Sequence, residues 1–295
     1  MHFSGTFSGV HTPIVTPFAD DGTIDFETLE KVVAFQLDNG IAGLIPCGST
    51  GEFYALDLDE RLEVMRFIAG KAKGRCVLTA GTNATTTKDV IAYSRAAERQ
   101  GFDAIMLAPP YYSLPSQDEL LAHFQAVLDA VDIPLVLYNF PGRAGVEIGF
   151  DVLDGLADHP QCVAIKESSG DINRLHDIRQ RYAGSIQLIC GGDDQAYEYA
   201  AWGIEAWICG AANPLPAQNV AVMASAAAGD LAGAKAAMDK LMPFMQTLEG
   251  GKYIQGAKYA MELAGIPCGP TRPPLLGLTA DEKMALAAVY EQAAS

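Results

Sequence analysis

Eight short apolar runs, each followed by a helical pattern, fill the chain up to about residue 228. The runs lie near residues 10–17, 42–47, 76–81, 104–108, 134–139, 162–167, 187–191 and 206–210, bounded by Gly, Pro, Asn or Asp. They are nearly continuous in hydrophobicity, which suits strands of a parallel sheet covered on both faces. The intervening segments repeat at helical spacing. In the first, Asp25 is placed to cap a helix whose apolar positions are Phe26, Leu29, Val33 and Leu37, and Asn39-Gly40 supplies the stop. Ser116-Gln117-Asp118-Glu119 reads as a capping box opening another. Eight such units predict a (β/α)8 TIM barrel over residues 1–228. Residues 229–295, helical only and rich in Ala and Met, are expected to pack on it as a C-terminal helical region. An open, doubly wound sheet is the alternative. It would usually carry a Gly-rich nucleotide turn after the first strand, where this chain has Val15-Thr16-Pro17-Phe18.

Charge narrows the partners. Twenty Lys and Arg against 36 Asp and Glu give a net charge of −16. A body this acidic repels phosphate backbones and anionic membranes, so neither nucleic acid nor a membrane is an expected partner. No run approaches the ~18 apolar residues of a membrane span. Met1-His2-Phe3-Ser4-Gly5 has no basic and apolar leader pattern. Cys47, Cys76, Cys162, Cys190, Cys209 and Cys268 are scattered without a CxxC pair and read as small buried hydrophobes in a reducing compartment. A cytoplasmic location follows as the expectation. His2, His11, His123, His159 and His176 show no HxH or HxxxH spacing, and no metal site is expected.

In a barrel the chemistry sits at the C-terminal ends of the strands. The second strand runs into Gly48-Ser49-Thr50-Gly51-Glu52, a turn whose hydroxyls and backbone N–H groups can hold a small carboxylate, or an ordinary loop. The fourth leads to Pro109-Pro110-Tyr111-Tyr112, a pattern as suited to packing or a subunit interface as to catalysis. The fifth ends in Tyr138, a buried donor or a proton carrier, and beyond it Arg143 could take a carboxylate through two parallel hydrogen bonds or sit exposed in its loop.

The sixth strand, Cys162-Val163-Ala164-Ile165-Lys166-Glu167, carries the sharpest signal. Alternation puts Lys166 on one face with Ala164 and Cys162, and Glu167 on the other with Ile165 and Val163. An ammonium in an apolar barrel costs several kcal/mol unless paired or deprotonated. Lys166 is therefore either a buried ion-pair partner or a neutral amine able to attack a carbonyl. The last two strands end in Cys190-Gly191-Gly192-Asp193-Asp194 and Cys209-Gly210-Ala211-Ala212-Asn213. The glycines, Gly192 among them, leave room for a compact substrate, and Asp193 or Asp194 is placed to cap the next helix.

Taken with Pro13, Pro110-Tyr111-Tyr112, Tyr138-Asn139-Phe140-Pro141-Gly142-Arg143-Ala144-Gly145, Ile165-Lys166-Glu167-Ser168-Ser169-Gly170-Asp171 and Gly191-Gly192-Asp193-Asp194, the chain resembles the dihydrodipicolinate synthase / N-acetylneuraminate lyase family over nearly its whole length. The resemblance implies a metal-free, cofactor-free class I lyase, commonly a homotetramer, acting on pyruvate or another 2-oxo acid. It implies that Lys166 forms the imine, that Tyr138 moves protons, and that Ser49 and Tyr112 complete a hydroxyl relay, Tyr112 reaching into a neighbouring subunit. Ser49 and Thr50 would hold the pyruvate carboxylate, Arg143 the carboxylate of an aldehyde, and Ile208 would line the pocket. The leading activity is the condensation of pyruvate with aspartate semialdehyde. A 2-keto-3-deoxy sugar-acid aldolase or dehydratase, and a non-catalytic 2-oxo-acid-binding protein, are the alternatives. Ser49 stands where many synthases have Thr, and Trp207 adjoins Ile208. Gly250–Lys258 lacks the Asn-Pro pattern common in lysine-pathway synthases. Leu58 and Arg61 occupy a loop that often carries polar or His residues, so inhibition by lysine is expected to be weak.

Overall fold

The computed structural model describes residues 5–295; Met1–Ser4, with most of the leader reading and His2, lie outside the described residues. Eight parallel strands close in sequence order into a barrel. They are β1 (Gly9–Pro13), β2 (Gly43–Ile45), β3 (Val77–Gly81), β4 (Ala104–Leu107), β5 (Leu135–Asn139), β6 (Cys162–Glu167), β7 (Gln187–Cys190) and β8 (Ala206–Ile208). Strand β8 pairs back onto β1, which excludes the open sheet. Helices α1 (Phe26–Asp38), α2 (Leu58–Ala72), α3 (Thr87–Gln100), α4 (Gln117–Leu128), the short α5 (Pro141–Ala144), α6 (Phe150–Leu156), α7 (Ile172–Tyr182), α8 (Ala196–Ala201) and α9 (Pro216–Ala227) lie between and after the strands. Then come α10 (Leu231–Glu249), α11 (Tyr253–Leu263) and α12 (Ala280–Ala294). None of the described helices is long and apolar enough to cross a membrane.

Local chemistry sets the helix starts. The Asp25 carboxylate accepts the Thr28 N–H at 2.9 Å, and Gly40 takes the left-handed φ of 82° beyond the C-cap Asn39. Ser116 and Glu119 form the reciprocal capping box in full. Apolar residues divide into two shells. Val10, Leu44, Leu78, Leu137 and Ile165 face out against the helices, while Ile45, Met106, Val136, Tyr138, Ala164, Ile189 and Ile208 fill the barrel. Met238, Leu241, Phe244 and Met261 of the C-terminal helices belong to the outer shell, so these helices share the barrel's core. All six cysteines are free and buried. Burial pushes the thiols of Cys162 and Cys268 up to about 12.

The alternation expected along β6 holds only in part. Ala164 and Lys166 face the interior and Ile165 the helices, but Cys162 packs outward and Val163 against the interior cluster. The register explains it. Leu135 pairs with Cys162 and Val136 with Ala164, leaving Val163 as an extra residue in a bulge. The chain is back in phase by the time it reaches Lys166, which pairs with Tyr138.

Candidate active site

Lys166 lies at the C-terminal end of β6 and is 5 % exposed. Its Nζ stands 4.2 Å from the centroid of the Tyr138 ring on the neighbouring strand. No carboxylate lies within ion-pair distance of it among the described residues. Glu167 is fully committed on the opposite face, where it accepts from Arg174 Nε at 2.9 Å, from Asn139 Nδ2 and from the Ser169 N–H. The buried-ion-pair reading of Lys166 thus finds no partner, and the amine is left facing a cleft of about 230 Å³.

The cleft brings together Lys166, Tyr138, Ser49, Thr50, Arg143 and Gly192 from five separate stretches of the chain. In the turn after β2, the N–H groups of Gly51 and Phe53 donate to the Gly48 carbonyl and that of Glu52 to Ser49. The N–H groups of Ser49 and Thr50 have no acceptor among the described residues and, with two hydroxyls, can receive a small carboxylate. The turn is held from behind. Glu52 sits in the left-handed region at φ 56°, buried, with its carboxylate 2.7 Å from Lys258 Nζ on α11 and accepting the Arg272 N–H.

Two glycines make room for this geometry. A Cβ on Gly191 would lie 2.8 Å from Lys166 Cγ, and one on Gly210 would fall 1.9 Å from the Tyr253 hydroxyl. The freedom expected for a substrate here is used first by the protein's own side chains. Neither Asp193 nor Asp194 caps α8, whose N-cap is Gln195 without a side-chain bond. Asp193 instead accepts from the Ala211 N–H at 3.0 Å and from the Tyr253 hydroxyl at 3.1 Å. Its full burial raises its pKa above the usual carboxylate range. Tyr253 in turn offers its ring to Arg143, whose guanidinium lies 5.3 Å from it and 5.4 Å from Phe140.

Two expected site residues stand elsewhere. Ile208 is buried in the barrel interior with Tyr138 and Ala164 and does not line the cleft; Gly210, just beyond the end of β8, does. Trp207 points outward into the shell under the helices. Tyr112 is 97 % exposed at φ 81° and makes no contact with Tyr138 in its own chain. Its neighbour Tyr111 packs on Phe53 instead. Tyr253 and Glu249 entered the cleft unforeseen, from a helical region that shows no strand-end signal. The only sequence clue was the altered Gly250–Lys258 stretch.

The chain matches the Dihydrodipicolinate synthetase family over residues 6–293. It belongs to that family. Among curated relatives of this dihydrodipicolinate synthetase member, the 4-hydroxy-tetrahydrodipicolinate synthase of Pelobacter propionicus is 35 % identical, covering 97 % of this chain and 98 % of its own. That of Sorangium cellulosum is 38 % identical over 91 % and 90 %. Among solved structures, the chloride-inhibited dihydrodipicolinate synthase of Acinetobacter baumannii complexed with pyruvate superposes with a TM-score of 0.94 at 33 % identity, covering 98 % and 99 %. The family is one of class I Schiff-base lyases. In this member Lys166, the Tyr138 beside it and the Ser49–Thr50 turn line one cleft.

Proposed function

We propose that this chain is a 4-hydroxy-tetrahydrodipicolinate synthase that condenses pyruvate with aspartate semialdehyde. The observation that carries this is the unpaired Lys166 amine, packed on Tyr138 and open to a cleft that also holds Arg143 and the Ser49–Thr50 turn. Lys166 attacks the ketone carbon of pyruvate, and Tyr138 protonates the departing hydroxyl so that water leaves and an imine forms. The protonated imine draws electrons, a methyl proton is lost, and the resulting enamine attacks the aldehyde carbon, whose oxygen takes a proton. The substrate's ammonium group gives up a proton, the free amine adds to the imine carbon, and Lys166 leaves carrying that proton. The imine is the electron sink, so no resident metal or cofactor belongs to this reading. The exposed, left-handed Tyr112 supports a relay completed across a subunit contact, as in a homotetramer. The six free, buried cysteines support a reducing, cytoplasmic setting for this reading.

The test supplies pyruvate with aspartate semialdehyde and, separately, a panel of 2-keto-3-deoxy acids. Pyruvate consumed only with the semialdehyde is the expected result; cleavage of a keto-deoxy acid with no use of the semialdehyde replaces the synthase by an aldolase. Arg143→Ala is expected to keep the borohydride-trapped pyruvate adduct but to lower kcat/KM for the acidic aldehyde roughly ten- to hundredfold, the worth of about 1.5–3 kcal/mol for a charged hydrogen bond.

Arg61 supports the weak response to lysine. Its buried guanidinium donates to the carbonyls of Asn83 at 2.9 Å and Gly81 at 3.0 Å and stacks 3.6 Å from the centroid of Tyr93. A second cation near this group would meet a fixed positive charge in a low-dielectric wall. Lysine at sub-millimolar concentration is expected to leave the initial rate unchanged; strong inhibition in such a titration refutes the reading.

A further inference from the structure

Two opposite charges face the same cleft without satisfying each other. Arg143 is held by the rings of Phe140 and Tyr253 and forms no ion pair among the described residues. Glu249 lines the same cleft at its rim and has no hydrogen bond or ion pair there either. Its placement runs against helix stability, because it is the last residue of α10 and a carboxylate opposes the negative end of the helix dipole. Asp193, the other deep acid of the cleft, is already occupied by the Ala211 N–H and the Tyr253 hydroxyl. Glu249 is an exposed residue as a whole, but its carboxyl lies crowded by protein and near the charge of Asp193, which together push its pKa up to about 7. An arriving cation restores its ionised form.

We propose that Glu249 is a specificity-determining residue that receives the ammonium group of the second substrate while Arg143 receives its carboxylate. The cleft therefore selects an aldehyde carrying both charges of an amino acid over one carrying a carboxylate alone. This rests on the synthase reading above and assigns one more side chain to it. Asp194, exposed on the same wall, is the competing acid.

The experiment measures pyruvate consumption by the full-length enzyme with aspartate semialdehyde and with succinate semialdehyde, which lacks the amino group. It compares the wild type, Glu249→Gln and Asp194→Asn, all checked for fold by thermal unfolding and for the pyruvate adduct on Lys166 by borohydride trapping. The wild type is expected to favour the amino aldehyde at least tenfold in kcat/KM. Glu249→Gln is expected to shrink that ratio at least fivefold through the amino aldehyde alone, with Asp194→Asn leaving it within twofold. An unchanged ratio in Glu249→Gln, an equal loss on both aldehydes, or loss of the ratio in Asp194→Asn instead overturns the assignment and leaves the synthase standing. Consumption of neither aldehyde, with the adduct still trapped, overturns both.

Discussion

Replacing Lys166 by Ala is expected to abolish turnover and to leave no pyruvate-sized adduct after borohydride reduction. Lys166 is the one lysine lining the cleft among the described residues, and its amine stands beside Tyr138. Loss of covalent catalysis of this kind removes several orders of magnitude in rate, on the order of 10³-fold or more. The variant should fold, because Lys166 forms no ion pair that would be broken. Intact mass after reduction reads the adduct, and the thermal midpoint reads the fold. Retained turnover in a folded Lys166→Ala protein sinks the mechanism. The same measurement on Arg143→Ala, where the adduct persists, separates imine formation from use of the aldehyde.

The second large effect concerns stability. Lys258→Ala leaves the Glu52 carboxylate buried with its cation gone, a class of change that costs about 3–5 kcal/mol. Equilibrium unfolding in urea is expected to show a loss of that size. Adding Glu52→Gln should recover part of it, since the neutral amide still accepts the Arg272 N–H and no longer buries an unpaired charge. If the single variant unfolds at the wild-type midpoint, the pair contributes nothing to holding the turn. A double variant no more stable than Lys258→Ala would mean that the uncompensated charge of Glu52 is not the source of the loss.

The barrel was readable because its signal is repeated eight times and each repeat is local. Strand runs bounded by Gly or Asp, with Asp25 and Ser116 as caps, needed no knowledge of tertiary contacts. Lys166 stood out because a charge at the end of an apolar strand is costly without a reason. What escaped was anything set by register or by a distant segment. The bulge at Val163 is invisible to strict alternation, and it sends Cys162 outward. Asp193 looked like a cap until Ala211 and Tyr253 claimed its oxygens. Glu249 and Tyr253 belong to the end of one helix and the start of another, where nothing in the spacing announces a neighbour across the barrel mouth.

The bond from the Arg272 N–H to Glu52 joins residues 220 apart in sequence. Synthesis runs from the N-terminus, and early segments fold before late ones emerge. All eight strands have left the ribosome once β8 is out, so the sheet can close while α11 and the Arg272 segment are still inside the translation machinery. Until they arrive, Glu52 carries its charge without Lys258, and the cleft lacks Tyr253 and Glu249. A ribosome-bound nascent chain can thus be a closed barrel whose carboxylate cradle is still unfinished.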